Sequence, residues 1–183
     1  MQDVELFLSL AEIAGVFVGF GALISVRSGA ASDAHEVVYI RAVVWIGIWV
    51  IVAALAPVIV SRYDITGHDL WLACGLLALV LFFGMVIVYN RTPEMWEDVA
   101  ATPRATFVWA SVLEALSVIP LVIALVLVVL GVFPVQEPAL YLTAVGFGLW
   151  WAALNLLELV FSRRRPQASS DPAALPVTGG SDA

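Results

Sequence analysis

Hydrophobic positions in this chain fall into five long runs that are separated by short polar breaks. The runs cover about residues 6–26, 42–60, 70–89, 106–132 and 139–161. A helix rises about 1.5 Å per residue, so about 20 apolar residues cross a hydrocarbon core of about 30 Å. None of the runs shows the strict alternation of apolar and polar residues that is typical of membrane β-barrel strands. Because a helix satisfies its own backbone hydrogen bonds in lipid, the pattern predicts an all-α, polytopic bundle of about five transmembrane helices.

The composition agrees with a membrane protein and excludes a soluble enzyme fold. Of the 183 residues, 62% are apolar and 13% are charged, whereas soluble domains have roughly 45–50% and roughly 25%. The net charge of -7 argues against nucleic-acid binding. The single cysteine, Cys74, lies in an apolar run, which excludes an intrachain disulfide and predicts a small hydrophobic side chain.

The arginines predict the orientation of the bundle. All eight basic residues are arginine, and with the N-terminus outside, only Arg62 falls in an outer segment. The positive-inside rule therefore predicts an N-out, C-in chain with an odd number of spans. The abundance of Ala, Val and Arg, without any Lys, indicates a bacterial source, so we expect the inner (plasma) membrane.

The chain is predicted to form one transmembrane domain followed by a tail. Residues 1–162 make up the domain, and Arg163, Arg164 and Arg165 form a basic cluster that anchors the last helix at the inner interface. Pro, Ala, Ser, Gly and Asp dominate the remaining residues up to 183, which predicts a disordered tail. Membrane lipid is therefore an expected partner.

Two glutamates inside predicted spans are the strongest candidates for a functional site. Glu12 is predicted in the outer half of the first span and Glu114 near the middle of the fourth, where an ionised carboxylate is costly unless it is paired or protonated. Ser9 shares a helix face with Glu12, and Ser111 and Ser117 share one with Glu114. We expect the first and fourth helices to pack through these faces and to bring both glutamates into one polar site.

Two interpretations of this site remain open, and they predict different functions. In the first, protonated glutamates form hydrogen bonds between helices, and the protein is a non-catalytic membrane component that self-associates or binds another membrane protein. In the second, the carboxylates conduct protons or cations in a channel or transporter. An intramembrane lipid-modifying enzyme is the weakest alternative, because the sequence carries no phosphate-binding loop, paired-histidine metal motif or intramembrane protease motif. No cofactor or metal is expected.

Glycines at helical spacing predict close contacts between helices. Gly15 and Gly19 form a small-xxx-small pair. The tetrapeptide Val-Gly-Phe-Gly occurs at residues 18–21 and again at 145–148, where it includes Gly146. Helix packing explains both copies better than a potassium-filter loop, because too few residues follow the second copy to form another full span.

Two prolines inside spans predict local helix kinks. Pro57 and Pro120 lie in the second and fourth spans. Proline lacks the backbone N–H and clashes with the preceding turn, yet it is common in membrane helices. We therefore expect both helices to kink at similar depth.

Other polar or aromatic residues near span ends are expected to face water or lipid headgroups. Tyr141 is predicted to anchor at the headgroups, and His68 is predicted to be solvated. Glu158 is expected to reach the inner interface. Asn155 is expected to form a hydrogen bond between helices.

Overall fold

The structure is a computed structural model that describes residues 2–28, 34–91 and 104–162. These residues form five α-helices and no strand. The helices are α1 (Gln2–Ser28), α2 (Ala34–Val60), α3 (His68–Asn90), α4 (Arg104–Val129) and α5 (Glu137–Ser162). Each is long and apolar enough to cross a membrane, which confirms the predicted all-α bundle. The predicted basic cluster at residues 163–165 and the predicted disordered tail lie outside the described residues.

The bundle is organised around α5, which packs against each of the other four helices. Its most extensive contacts are with α2 and α4, and α3 packs between those two helices. The first helix packs mainly on α2 and less extensively on α5. In the apolar stretch of α2, half of the residues are buried inside the protein, whereas in the apolar stretch of α1 only 17% of the residues are buried. Helices α2 to α5 therefore form a four-helix unit, and α1 lies on its outside.

This arrangement differs from the predicted packing of the first helix on the fourth. The main neighbours of α4 are α3 and α5, and α1 is not among them. The sequence-based expectation was wrong because both helices are apolar on most sides, so their composition does not select the neighbouring helix.

The two ends of the bundle differ in what they contain. The start of α1 and the connections α2–α3 and α4–α5 lie at one end, which we call the His68 end. A short 3₁₀ helix lies in each connection, Ser61–Tyr63 in the first and Pro134–Gln136 in the second. The other end, where α3 finishes and α4 and α2 begin, is the Asn90 end.

The fourth helix ends at Val129, three residues before the predicted boundary. Gly131 has a φ of +62°, a left-handed conformation that glycine adopts without a Cβ clash. The N–H of Val132 donates to the carbonyl of Leu127 at 3.4 Å, and the N–H of Gly131 donates to that of Val128 at 3.1 Å. These are the two hydrogen bonds of a Schellman motif, which terminates a helix.

Four glycines mark the closest approaches between helices, and two of them, Gly21 and Gly148, belong to the tetrapeptide copies that were predicted to pack. A Cβ atom added at any of the four would press against a side chain of another helix. The pairs are Gly21 with Val44, Gly47 with Val18, Gly75 with Val129, and Gly148 with Trp49. The first two join α1 to α2, the third joins α3 to α4, and the fourth joins α5 to α2.

Three other glycines predicted to pack face open space. A Cβ atom added at Gly15, Gly19 or Gly146 would meet no atom within 4 Å. In both copies of the Val-Gly-Phe-Gly tetrapeptide, the second glycine packs on α2 and the first does not. Close packing at Gly15, Gly19 and Gly146 is therefore not made within the described part of a single chain.

Candidate functional site

The two predicted glutamates lie on different surfaces of the bundle. Glu12 is exposed on α1, whose inward face carries Phe7 and Ala14. Glu114 on α4 lines a cavity between α2, α3, α4 and α5, and Glu12 does not line it. The prediction of one site containing both carboxylates is therefore wrong, since α1 packs on α2 and α5 and not on α4.

The outward face of α1 carries a row of small and polar residues that we call the α1 stripe. It consists of Ser9, Glu12, Gly15 and Gly19, all exposed. Spacings of three and four residues place them on one side of the helix. Because Glu12 follows Val4, the start of the membrane-spanning segment, by eight residues, its Cα atom lies about 12 Å along the helix axis from that start. The stripe thus presents a carboxylate well inside an apolar segment.

The cavity at Glu114 is the second candidate site. Its volume is about 520 Å³, which is within the range of about 300–1,000 Å³ that ligand pockets occupy. It extends from the Asn90 end toward the middle of the bundle. The described residues that line it are mostly apolar or aromatic: Ala42, Trp45, Ile46, Phe82, Phe83, Met85, Val86, Tyr89, Asn90, Ser111, Glu114, Ala115, Val118, Ile119, Val122, Trp151 and Asn155.

The position of the cavity follows from where α3 and α4 pack tightly. Near the His68 end, Gly75 lets the side chain of Val129 approach the backbone of α3. Toward the Asn90 end, α3 carries the bulky residues Phe82, Phe83 and Tyr89, and the cavity lies between them and α4. Small residues close one end of the α3–α4 interface, and aromatic residues hold the other end apart.

Carboxyl groups make the cavity acidic. Glu114 lines it, and the Glu158 carboxyl group of α5 interacts electrostatically with Glu114. Ser111 and Asn155 add neutral polar groups, and none of the described lining residues is basic. Glu158, which was predicted to reach the inner interface, thus also contributes to the electrostatics of the cavity.

Two of the predicted polar residues bond within their own helices. The Oγ of Ser117 donates to the carbonyl of Leu113 at 3.0 Å, and Ser117 is buried without lining the cavity. The Nδ2 of Asn155 donates to the carbonyl of Trp151 at 2.9 Å, which differs from the predicted bond between helices. Of the serines predicted to accompany the glutamates, only Ser111 lies at the cavity.

Aromatic rings form a connected wall along the cavity. Phe82 is buried, and its ring centroid lies 5.6 Å from that of Phe83 and 6.1 Å from that of Trp151. Trp49 packs on the far side of Phe82 at 5.9 Å, and its Nε1 donates to the carbonyl of Ala78 at 2.9 Å. This network holds the aromatic rings of the wall in position, because the Trp49 hydrogen bond joins α2 to α3.

A hydrogen bond between His68 and Glu137 at the His68 end was not predicted. The Nδ1 of His68 lies 2.6 Å from Oε1 of Glu137, which is only 1% exposed. The imidazole also packs against Gly131, where a Cβ would meet the ring. His68 is exposed, as expected of a solvated residue, and it also joins the first turns of α3 and α5.

Tyr141 has a structural role that the sequence did not indicate. It was predicted to anchor at the headgroups, but its side chain is fully buried and donates a hydrogen bond to the carbonyl of Ala53 at 2.7 Å. In a regular helix the N–H of residue 57 would donate to that carbonyl, but Pro57 has none. Tyr141 therefore satisfies the carbonyl that Pro57 leaves without its helical donor.

An aromatic cluster surrounds this hydrogen bond. The ring centroid of Tyr141 lies 5.6 Å from that of Trp71 and 6.0 Å from that of Phe7. The rings of Phe7 and Trp71 are 6.3 Å apart. The cluster joins α1, α3 and α5 near the His68 end.

In the residues that the structure describes, no group of three or more His, Cys, Asp and Glu side chains is placed to hold a metal ion. Comparison of the chain with protein-family models, with curated proteins and with solved structures finds no match. Function is therefore argued from the geometry of the α1 stripe and of the Glu114 cavity.

Proposed function

We propose that this protein is a non-catalytic membrane component that assembles with a second copy of itself through the α1 stripe. The observation that carries the proposal is the exposed carboxylate of Glu12 within an apolar helix. A carboxylate facing lipid is unfavourable by several kcal/mol, on a scale that depends on its depth and protonation. A second helix that covers the stripe removes this contact with lipid.

The other residues of the stripe support a helix as the covering element. Gly15 and Gly19 have no neighbour within the chain, so a second helix can approach their backbone closely. Ser9 and Glu12 supply hydrogen-bonding groups on the same face. In a symmetric dimer each stripe meets its own copy, so a hydrogen bond made by one stripe is repeated by the other.

Substituting the stripe glycines tests the proposal without disturbing the bundle. Gly15→Ile and Gly19→Ile place side chains in open space, so each variant should fold as the wild type does. The bulk should block the second helix and shift the protein from dimer to monomer. Light scattering coupled to size-exclusion chromatography in a mild detergent measures this shift. Gly84→Ile on α3 is the matched control, because a Cβ there also meets nothing within 4 Å.

Disulfide cross-linking provides an independent measurement. In a Cys74→Ala background, Ser9→Cys should form a cross-linked dimer under mild oxidation in membranes. Leu116→Cys, at an exposed position of α4, should not. A monomeric wild-type protein, or equal cross-linking at both positions, would overturn the proposal.

Cation handling at the Glu114 cavity is the second candidate function, and the acidic side chain of Glu114 in the cavity lining favours it. Because Glu12 does not line the cavity, this candidate places the pathway at Glu114 alone. Proton and monovalent-cation flux into liposomes should then be lost in Glu114→Gln and retained in Glu12→Gln. Absence of flux from inserted wild-type protein would refute it.

The arginine distribution supports an N-out, C-in orientation in a bacterial inner membrane, with the His68 end outside. Tyr63 is exposed in the α2–α3 connection. In a Cys74→Ala background, Tyr63→Cys should react with a membrane-impermeant maleimide in intact cells. Labelling that requires permeabilised cells would reverse the proposed orientation.

A further inference from the structure

The walls of the Glu114 cavity suit an apolar ligand that arrives from the membrane. Most of the lining side chains are hydrocarbon or aromatic. Trp45 and Phe83 line the cavity and are also exposed on the outside of the bundle, at 43% and 49%. The cavity therefore opens at a surface that faces lipid, and a molecule dissolved in the bilayer can reach it.

The carboxyl groups at the cavity favour a positive group on that ligand. Glu114 reaches the cavity, and Glu158 adds a second carboxyl group that interacts with it. None of the described lining residues is basic. A cation can pair with these carboxyl groups, whereas an anion meets no basic group among the described lining residues, and a hydrated metal ion would have to exchange its water for apolar walls.

The aromatic rings add a second source of attraction for a cation. Five aromatic rings contribute to the lining, those of Trp45, Phe82, Phe83, Tyr89 and Trp151. The face of an aromatic ring attracts an organic cation within about 6 Å of its centroid, most strongly for tryptophan. Organic cations also carry little hydration, so their transfer into an apolar cavity costs less than that of a small inorganic ion.

From these three properties we propose that the Glu114 cavity binds a lipophilic cation, an organic ammonium or phosphonium ion with apolar substituents. The positive centre lies at the Glu114 carboxylate, and the substituents pack against the aromatic wall. Binding uses α2 to α5 only, so this inference does not depend on assembly through the α1 stripe.

The first experiment compares two ions of the same shape and opposite charge. Full-length protein in a neutral maltoside detergent is dialysed to equilibrium against radiolabelled tetraphenylphosphonium and, separately, against tetraphenylborate. We expect saturable binding of about one tetraphenylphosphonium per chain, and tetraphenylborate affinity weaker by about tenfold or more. Equal affinity for the two ions, or no saturable tetraphenylphosphonium binding, would overturn the proposal.

Variants then locate the site. Glu114→Gln should weaken tetraphenylphosphonium binding about tenfold or more, and Glu158→Gln should weaken it less because Glu158 does not line the cavity. Glu12→Gln is the matched control and should bind like the wild type. Unchanged affinity in a folded Glu114→Gln variant would place the ion elsewhere and contradict the proposal.

Two further variants keep the test decisive if Glu114→Gln does not fold. Trp45→Leu removes one exposed ring and should weaken binding about threefold. Ala115→Trp fills the cavity and should abolish binding. Wild-type affinity in both would overturn the proposal. The Gly15→Ile monomer should still bind the ion, so failure of assembly and failure of binding are distinguishable.

Discussion

The hydrogen bond from Tyr141 to Ala53 leads to a quantitative prediction, because the structure shows why this hydrogen bond forms. Pro57 removes the N–H that would serve the Ala53 carbonyl, and the Tyr141 hydroxyl donates to that carbonyl at 2.7 Å from another helix. Tyr141→Phe keeps the ring, and with it the contacts to Phe7 and Trp71. The substitution therefore removes one donor and leaves a buried carbonyl without it.

The expected loss of stability follows from that unsatisfied group. A buried acceptor without its donor costs about 1–3 kcal/mol, and hydrogen bonds between membrane helices measure about 0.6 kcal/mol on average and about 1.7 at most. We expect Tyr141→Phe to lower the free energy of unfolding by about 1–2 kcal/mol. In a Pro57→Ala background the N–H of residue 57 returns and donates to Ala53. There the same substitution should cost less than about 0.5 kcal/mol.

A double-mutant cycle measures this difference. The wild type, both single variants and the double variant are unfolded by titration with sodium dodecyl sulfate in mixed micelles, and far-UV circular dichroism reports the loss of helix. The coupling between the two substitutions should be about 1 kcal/mol. If Tyr141→Phe costs the same in both backgrounds, within about 0.5 kcal/mol, the tyrosine does not serve the carbonyl freed by Pro57 and the reasoning fails.

Two further predictions concern the close contact of Gly148 with Trp49 and the hydrogen bond between His68 and Glu137. Gly148→Ala should destabilise the protein by about 1–3 kcal/mol in the same titration, because its Cβ would press on the Trp49 ring, whereas Gly146→Ala should be nearly neutral. Equal effects of the two substitutions would contradict this packing. His68→Ala leaves the buried carboxylate of Glu137 without its partner and should cost about 1–3 kcal/mol. Adding Glu137→Gln should recover part of the lost stability, since burying a neutral amide costs less free energy than burying a carboxylate. A double variant less stable than His68→Ala would refute this prediction.

The number of the helices and the positions of their apolar spans could be predicted because lipid imposes them. A span needs about 20 apolar residues and must satisfy its own backbone, so hydropathy alone located all five helices. The exception at the end of α4 also has a signal in the sequence. Gly131 follows the apolar run and adopts the left-handed conformation that closes the helix.

The neighbours of each helix could not be predicted, for a reason specific to membranes. Lipid tails are as apolar as leucine, so hydrophobicity does not select the buried face of a helix. Gly15 and Gly21 are both small residues of α1, yet only Gly21 meets α2. For the same reason the sequence could place Glu12 and Glu114 inside spans but could not show that they belong to different surfaces.

The hydrogen bond at the His68 end was missed because its partners are far apart in the chain. His68 and Glu137 are 69 positions apart, and Glu137 stands beside Pro138 at the beginning of a helix, where a solvated residue is usual. A usable signal did exist. Residues that begin α3 and α5 share one end of an up-and-down bundle, so two polar groups at those positions are candidates to meet.

The central position of α5 has a consequence for how the protein is made. Its residues leave the ribosome after the other four helices, and Tyr141 follows Ala53 by 88 positions. At about 5–20 residues per second, roughly 4–18 s separate the synthesis of the carbonyl from that of its donor. During this interval α1 to α4 can insert, but neither the hydrogen bond of Glu137 nor the contact of Gly148 with Trp49 can form. The tertiary fold is therefore completed in a single late step, and a nascent chain arrested before residue 137 exposes the groove that α5 later fills.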